Sequence, residues 1–384
     1  MNARALRPFL ALLIFALIPA RLHAADAPTL EIHAILPVTG PASFLGQGEA
    51  ATLKAVEAVV NRQGGVRGRP IHFAIQDDTS SPQVAVVLLN QLIADKVNVV
   101  LGSSLTAVCG AMLPIVKDGP VVYCMSNGVH PPPGSYMFTS AMWTKDMIVA
   151  DVRYLRERGW TKIAMITSTD ATGQDAERSL DEAFARPENK SIKVVAREHF
   201  NTTDVSVAAQ MAHVKAAGAQ ALVAWSTGSA FGTLMRGATE AGLSIPVLTS
   251  AGNMTYAQMK AYGSFLPKEL YFPASPPYAP GELRNAAVKR AVGAFVDAMN
   301  AAGIKPENGH ILAWDATFTL IDALKKVGTN ADATQIRDYI ENVRGAPGIL
   351  GVHDFRTNPQ RGVGASSVVM VRWDPAKETW VGVK

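Results

Sequence analysis

Three stretches of this chain carry residue types that could do covalent or cofactor chemistry. Gly46-Gln47-Gly48-Glu49-Ala50-Ala51 has the glycine spacing of a dinucleotide loop in its alanine-ending form, which would cradle a pyrophosphate. That chemistry needs a tight turn from strand to helix, and the apolar strand Ile32–Leu36 ends well before Gly46. Ser250, in Leu248-Thr249-Ser250-Ala251-Gly252, lacks the first glycine of a nucleophile elbow, and no histidine or acid can be assigned to it. Asp77-Asp78 is an acid pair, yet at a strand end it reads as a turn and capping element rather than a dyad sharing a proton. The eight histidines lack metal-site spacing and the two cysteines make no zinc set. No enzyme activity, metal or cofactor is expected.

Recognition chemistry is better represented. Thr39 to Gly46 and Ser103 to Thr106 each follow the carboxyl end of an expected parallel strand and precede a helix, where open α/β sheets place their ligands. Free backbone N–H groups there, with Ser and Thr hydroxyls, suit a carboxylate. Plain helix capping would place Thr106 equally well.

The elements that must position these loops alternate short β-rich runs with amphipathic helices, the pattern of parallel sheets covered on both faces. Strands are expected near Leu30–Leu36, Ile71–Gln76, Val99–Leu101, Val121–Cys124, Lys162–Thr167, Lys193–His199, Ala221–Trp225, Val247–Leu248 and Leu270–Phe272. Helices are clearest over Pro82–Lys96, Asp146–Arg158, Val205–Ala217 and Ala286–Ala302. Trp314 and Phe318, at helical spacing, are expected in the core. Tyr136–Trp143 and Tyr271–Pro280 read as crossings between two α/β units, and Gly351–Val383, strands without a helix, as a third.

Length and a 48% hydrophobic content support two well-formed cores. At the amino end, Arg4 and Arg7 precede an apolar Leu10–Ile18 and a small-residue site after Ala24, the three parts of a cleavable leader over residues 1–24. Its apolar part is too short to span a bilayer. Removing Arg4, Arg7 and Arg21 takes the formal charge from +4 to +1, which argues against nucleic acid as a partner. A soluble, extracytoplasmic product is expected. There Cys109 and Cys124 are either a disulfide or two buried thiols, since spacing alone does not fix their distance.

Leu36-Pro37-Val38-Thr39-Gly40-Pro41, Leu45-Gly46, Asn61 to Pro70 and Asp77 to Pro82 are followed by Leu101-Gly102 through Pro114 and Asp170-Ala171-Thr172-Gly173. Ala313-Trp314-Asp315-Ala316 and Gly351-Val352-His353-Asp354-Phe355 complete the set. In this order the stretches resemble the type I periplasmic binding proteins, in the branch of the leucine/isoleucine/valine-binding proteins of ABC transporters. Within Asn61 to Pro70, Gly64, Gly65 and Gly68 permit a tight helix-to-strand turn and identify the fold without touching ligand.

The resemblance implies two Rossmann-like α/β lobes joined by three crossing segments. Residues 25–142 with 274–354 would form the first lobe, and 143–273 with 355–384 the second. It also implies a periplasmic monomer that passes a small ligand to a membrane permease, or else a ligand sensor for a signalling partner. Aligned on Pro114, it puts a hydroxyl for the ligand's carboxylate on Thr106, with Ser104 beside it and a second anchor at Ser126 and Gly128.

The second half departs from the amino-acid-binding pattern. Thr172 and Thr227 stand where relatives commonly have aromatics, and the acid expected near Ala251 is missing. A buried ammonium without an anion is costly. The expected lining is therefore Phe44, Trp143, Thr172, Thr227, Asn253 and Tyr278 around a small carboxylate lacking an amino group, an aromatic acid being one candidate; a branched-chain or other amino acid is the alternative.

Overall fold

A computed structural model describes residues 28–139, 141–364 and 368–383; the expected leader at 1–24 lies outside them. Long apolar runs make the strands. β1 (Leu30–Leu36), β2 (Ile71–Asp77), β3 (Val99–Leu101), β4 (Val121–Cys124) and β5 (Met137–Thr139) form one parallel sheet in the order β2-β1-β3-β4-β5. β3, β4 and β5 are buried throughout, as strands covered on both faces must be.

Helices α1 (Ser43–Arg62), α2 (Pro82–Ala94) and α3 (Thr106–Met112) connect these strands. α2 starts where the sequence signals a start, with Ser81 accepting from Val84 N and Pro82 in the first turn.

The chain then crosses into α4 (Thr144–Glu157), β6 (Lys162–Ser168), α5 (Ala171–Phe184), β7 (Lys193–Phe200), α6 (Ala208–Ala216), β8 (Ala221–Trp225), α7 (Ser229–Glu240), β9 (Val247–Leu248), α8 (Tyr256–Tyr262) and β10 (Leu270–Ala274). It returns as α9 (Ala286–Ala301), α10 (Asn308–Val327) and α11 (Ala333–Glu341) to complete the first core, adding a small hairpin of β11 (Arg344–Pro347) and β12 (Val352–Asp354). Finally β13 (Val369–Asp374) and β14 (Thr379–Gly382) join the second sheet antiparallel at the β10 edge, giving β14-β13-β10-β9-β8-β6-β7.

Two hydrophobic cores result. Met142 already packs in the second, and Phe355 and Val363 still pack in the first, so the third crossing falls later than the expected break at 354/355. The reason lies in the hairpin, whose β12 carries Phe355 back against Phe138 with ring centroids 5.8 Å apart. Trp314 is buried in the first core between Phe295 and Phe318.

Two details place the ligand loops. α1 and α10 cross with backbones in contact, since a Cβ on Gly48 would lie 3.3 Å from Gly309 Cα. The dinucleotide-like glycines thus sit inside a helix and serve packing. Asp315 of α10 accepts from the amides of Ile349 and Leu350, each at 2.9 Å, and lies 2.9 Å from His353 Nε2, locking two of the recognised stretches together.

Candidate ligand-binding site between the lobes

After β3 the chain turns through Gly102 and Ser103 into α3. The helix is capped by Leu105 without any side-chain hydrogen bond, so the hydroxyl of Thr106, its first residue, is not a cap. It lies 3.1 Å from the hydroxyl of Ser126, which also accepts from Gly128 N at 3.3 Å. A disulfide between Cys109 and Cys124, with Cα atoms 6.3 Å apart, ties α3 to the end of β4 and so fixes Thr106 against Ser126. Gly128 sits tight between the lobes: a Cβ there would lie 2.7 Å from Thr106 Oγ1 and 3.1 Å from Asp175 Oδ2 of the facing lobe, so a larger residue would displace one of them.

The strand ends of the second sheet face this cluster across a narrow cavity of about 20 Å³. Ser104, Thr106 and Asn127 line it from the first lobe, and Thr144, Thr172, Thr227 and Ser250 from the second. Leu45, Leu105, Leu312, Met147 and Trp225 supply the apolar walls, and no charged side chain lines it. Four of the expected residues (Ser104, Thr106, Thr172 and Thr227) meet here, with Ser126 and Gly128 hydrogen-bonded to each other beside Thr106.

Phe44, Trp143, Asn253 and Tyr278 do not line the cavity, each for a packing reason. Phe44 packs edge-on against Tyr262, centroids 6.3 Å apart. Trp143 lies under the buried guanidinium of Arg361, 4.7 Å from the ring centroid, whose N–H groups donate to the carbonyls of Ala141 and Val129. Asn253 turns inward and donates to Ser226 O at 2.8 Å and Thr249 Oγ1 at 3.1 Å, shaping the loop that carries Ser250. Tyr278 packs against Trp380 at 5.5 Å on the second crossing.

Sequence reasoning missed Trp225, the aromatic that does line the cavity. Its signal was its place as the last residue of a strand correctly expected at Ala221–Trp225, at the ligand end of the sheet.

Acids stand behind the first-lobe wall. Burial pushes Glu49 up to about 8, the hydroxyl of Ser104 only partly offsetting it. Burial likewise pushes Asp78 up to about 6, against hydrogen bonds from Ser103 and Ser80 N. Asp77 is held below its ordinary range because hydrogen bonds from Thr39 and Thr79 outweigh its slight burial. The acid pair thus organises the turns that carry Thr39 and Ser80. Among the described residues no helix is long and apolar enough to cross a membrane.

A family model described as periplasmic binding protein matches residues 29–378. The Leu/Ile/Val-binding protein homolog 3 of Brucella melitensis is 22% identical over 354 residues, covering 91% of this chain and 92% of its own. An extracellular ligand-binding receptor of Rhodopseudomonas palustris HaA2 superposes with a TM-score of 0.82 at 20% identity, covering 92% of this chain and 99% of its own. An ABC-transporter solute-binding protein of R. palustris, solved in complex with benzoate, superposes with a TM-score of 0.74 at 20% identity, covering 92% and 95%. The two lobes, the facing strand ends and the match along nearly the whole described chain agree: this chain belongs to the periplasmic binding protein family, in its type I, leucine/isoleucine/valine-binding kind.

Proposed function

We propose that this protein captures a small carboxylate lacking an amino group, with aromatic acids as the leading class, between its lobes and delivers it to the permease of an ABC uptake transporter. The observation that carries this proposal is the cavity wall, made of hydroxyls, an amide and apolar side chains with no acid among them. Thr106, braced by the buried Ser126 hydroxyl, offers a hydroxyl donor to the carboxylate, and Trp225 offers a flat apolar surface to a ring. An ammonium drawn into the same space would meet no anion on the wall. The benzoate held by the R. palustris neighbour supports the acid class.

The protein acts as a monomer in the periplasm. Its disulfide supports that compartment, because such bonds persist where thiols are not kept reduced. No covalent step is involved. The ligand binds the closed arrangement better than the open one, closure follows, and the permease reads the closed shape.

The name of the B. melitensis relative favours a second reading, a branched-chain amino acid. A thermal-shift screen of the mature protein against benzoates, aliphatic acids, dicarboxylates and branched-chain amino acids separates the two. A ligand at a hundred times its Kd adds about 2.7 kcal/mol of stability. Stabilisation by non-amino acids supports the proposal; selective stabilisation by leucine or valine overturns the ligand class, and silence from the whole panel turns attention to a sensory role.

A further inference from the structure

Away from the cleft, a second hollow of about 630 Å³ opens between α8, the segment leading from it into β10, and the turn that joins β13 to β14. Small-molecule sites occupy roughly 300–1,000 Å³, so this hollow is large enough for an organic ligand as it stands. We propose that it is a second binding site, for an aromatic organic monoanion whose ring lies against Tyr256 and Trp373 and whose charge lies among Lys260, Lys268 and Lys305. None of its residues lines the cleft, so the proposal stands apart from what the cleft captures.

The floor is aromatic and fixed. Buried Trp380 holds Tyr256 with ring centroids 4.7 Å apart and Trp373 with centroids 4.9 Å apart. Thr255 caps α8 by accepting from Gln258 N at 3.2 Å, which sets Tyr256, the first residue of that helix, on the wall of the hollow. Met259, Leu266, Pro267 and Pro375 extend the apolar lining. A flat ring buries area against such a surface and gains further from contact with the aromatic rings.

The rim is cationic. Lys260, Lys268 and Lys305 line the hollow against one acid, Glu378. Among the described residues the lysines in ion pairs are Lys145 and Lys377, and neither Lys260 nor Lys268 has a hydrogen-bond or ion-pair partner. The neighbouring acids are engaged elsewhere: Glu269 accepts from the Tyr271 hydroxyl at 2.9 Å, and Asp374 lies 3.6 Å from Lys377 Nζ. An anion entering here meets ammonium groups that no carboxylate has already neutralised, whereas a cation is repelled.

Lys305 comes from the loop between α9 and α10 of the first lobe. Its Nζ lies 3.8 Å from the centre of the Tyr256 ring and donates to Glu378 O at 3.0 Å, which leaves two of its three N–H donors for a ligand. Cation and aromatic surface thus meet at one place, and the ligand that matches them carries its acid group next to its ring.

The probe is 2-naphthoate, with the uncharged 2-naphthamide as its match in shape. In mature protein with isotope-labelled indole nitrogens, the six tryptophans are followed by NMR, and Trp373→Phe and Trp225→Phe assign the signals of the hollow and of the cleft. Naphthoate is expected to move the Trp373 signal saturably, and naphthamide to bind several-fold more weakly. Lys260→Ser combined with Lys268→Ser, both exposed, should raise the Kd of naphthoate roughly three- to ten-fold, the range two exposed ion pairs supply, and leave that of naphthamide unchanged. A Trp373 signal that stays still, one that moves equally with acid and amide, or a naphthoate Kd untouched by the double variant would overturn the site. Movement of Trp225 alone assigns the acid to the cleft and overturns it as well. Movement of Trp373 with Trp225 silent upholds the second site even where the ligand panel for the cleft fails.

Discussion

Ser104 has the cavity on one side and the carboxyl of Glu49 on the other, and the two sides respond to different experiments. Glu49 is an acid raised from 4.5 to about 8 by burial, so the folded state keeps a proton that the unfolded chain gives up. Its contribution is complete below about pH 4.5 and is lost progressively as pH rises towards about 8. Glu49→Gln is expected to melt with the parent protein near pH 5 and above it near pH 8; parallel melting curves across that range would show that the acid carries no such linkage. On the cavity side, Thr106→Ala should weaken binding of whichever panel member stabilises the protein by roughly 1–3 kcal/mol, read by calorimetry. That Ser104, Thr106, Thr172 and Thr227 would face one cavity was legible because loops after strand ends can be located from the strands alone. The aromatic wall was not, since a ring's neighbours depend on tertiary packing: Phe44 found Tyr262, Trp143 found Arg361 and Tyr278 found Trp380.

At the scale of elements, the strands were readable because burial on both faces demands uninterrupted apolar residues, as in the fully buried Ala221–Trp225. A helix boundary moved inward. The helix expected over Val205–Ala217 begins only at Ala208, leaving Val205 in solvent. β11 escaped notice because Arg344-Gly345-Ala346-Pro347 is largely exposed and has no apolar alternation. What holds its hairpin is Asp315, buried at 4% exposure and gathering two amides and His353. Asp315→Ala leaves those partners buried and unpaired, which should cost about 3–5 kcal/mol in urea unfolding. A loss below about 1 kcal/mol would mean that water replaces the carboxylate without penalty.

For the whole molecule, the narrow cavity between the lobes decides the order of events. About 20 Å³ admits little more than a water, so anything larger enters only when the lobes stand further apart than they do here. The lobes are also interleaved along the chain. The first core takes residues from Leu30 to Ala141 and again from Val288 to Val363, while the second sheet is finished only by Val369–Gly382. A chain emerging amino end first therefore cannot complete either lobe until its final segments have appeared, and such distant pairings form slowly. The same connectivity that carries the chain three times between the lobes prevents either lobe from being cut out as one continuous fragment.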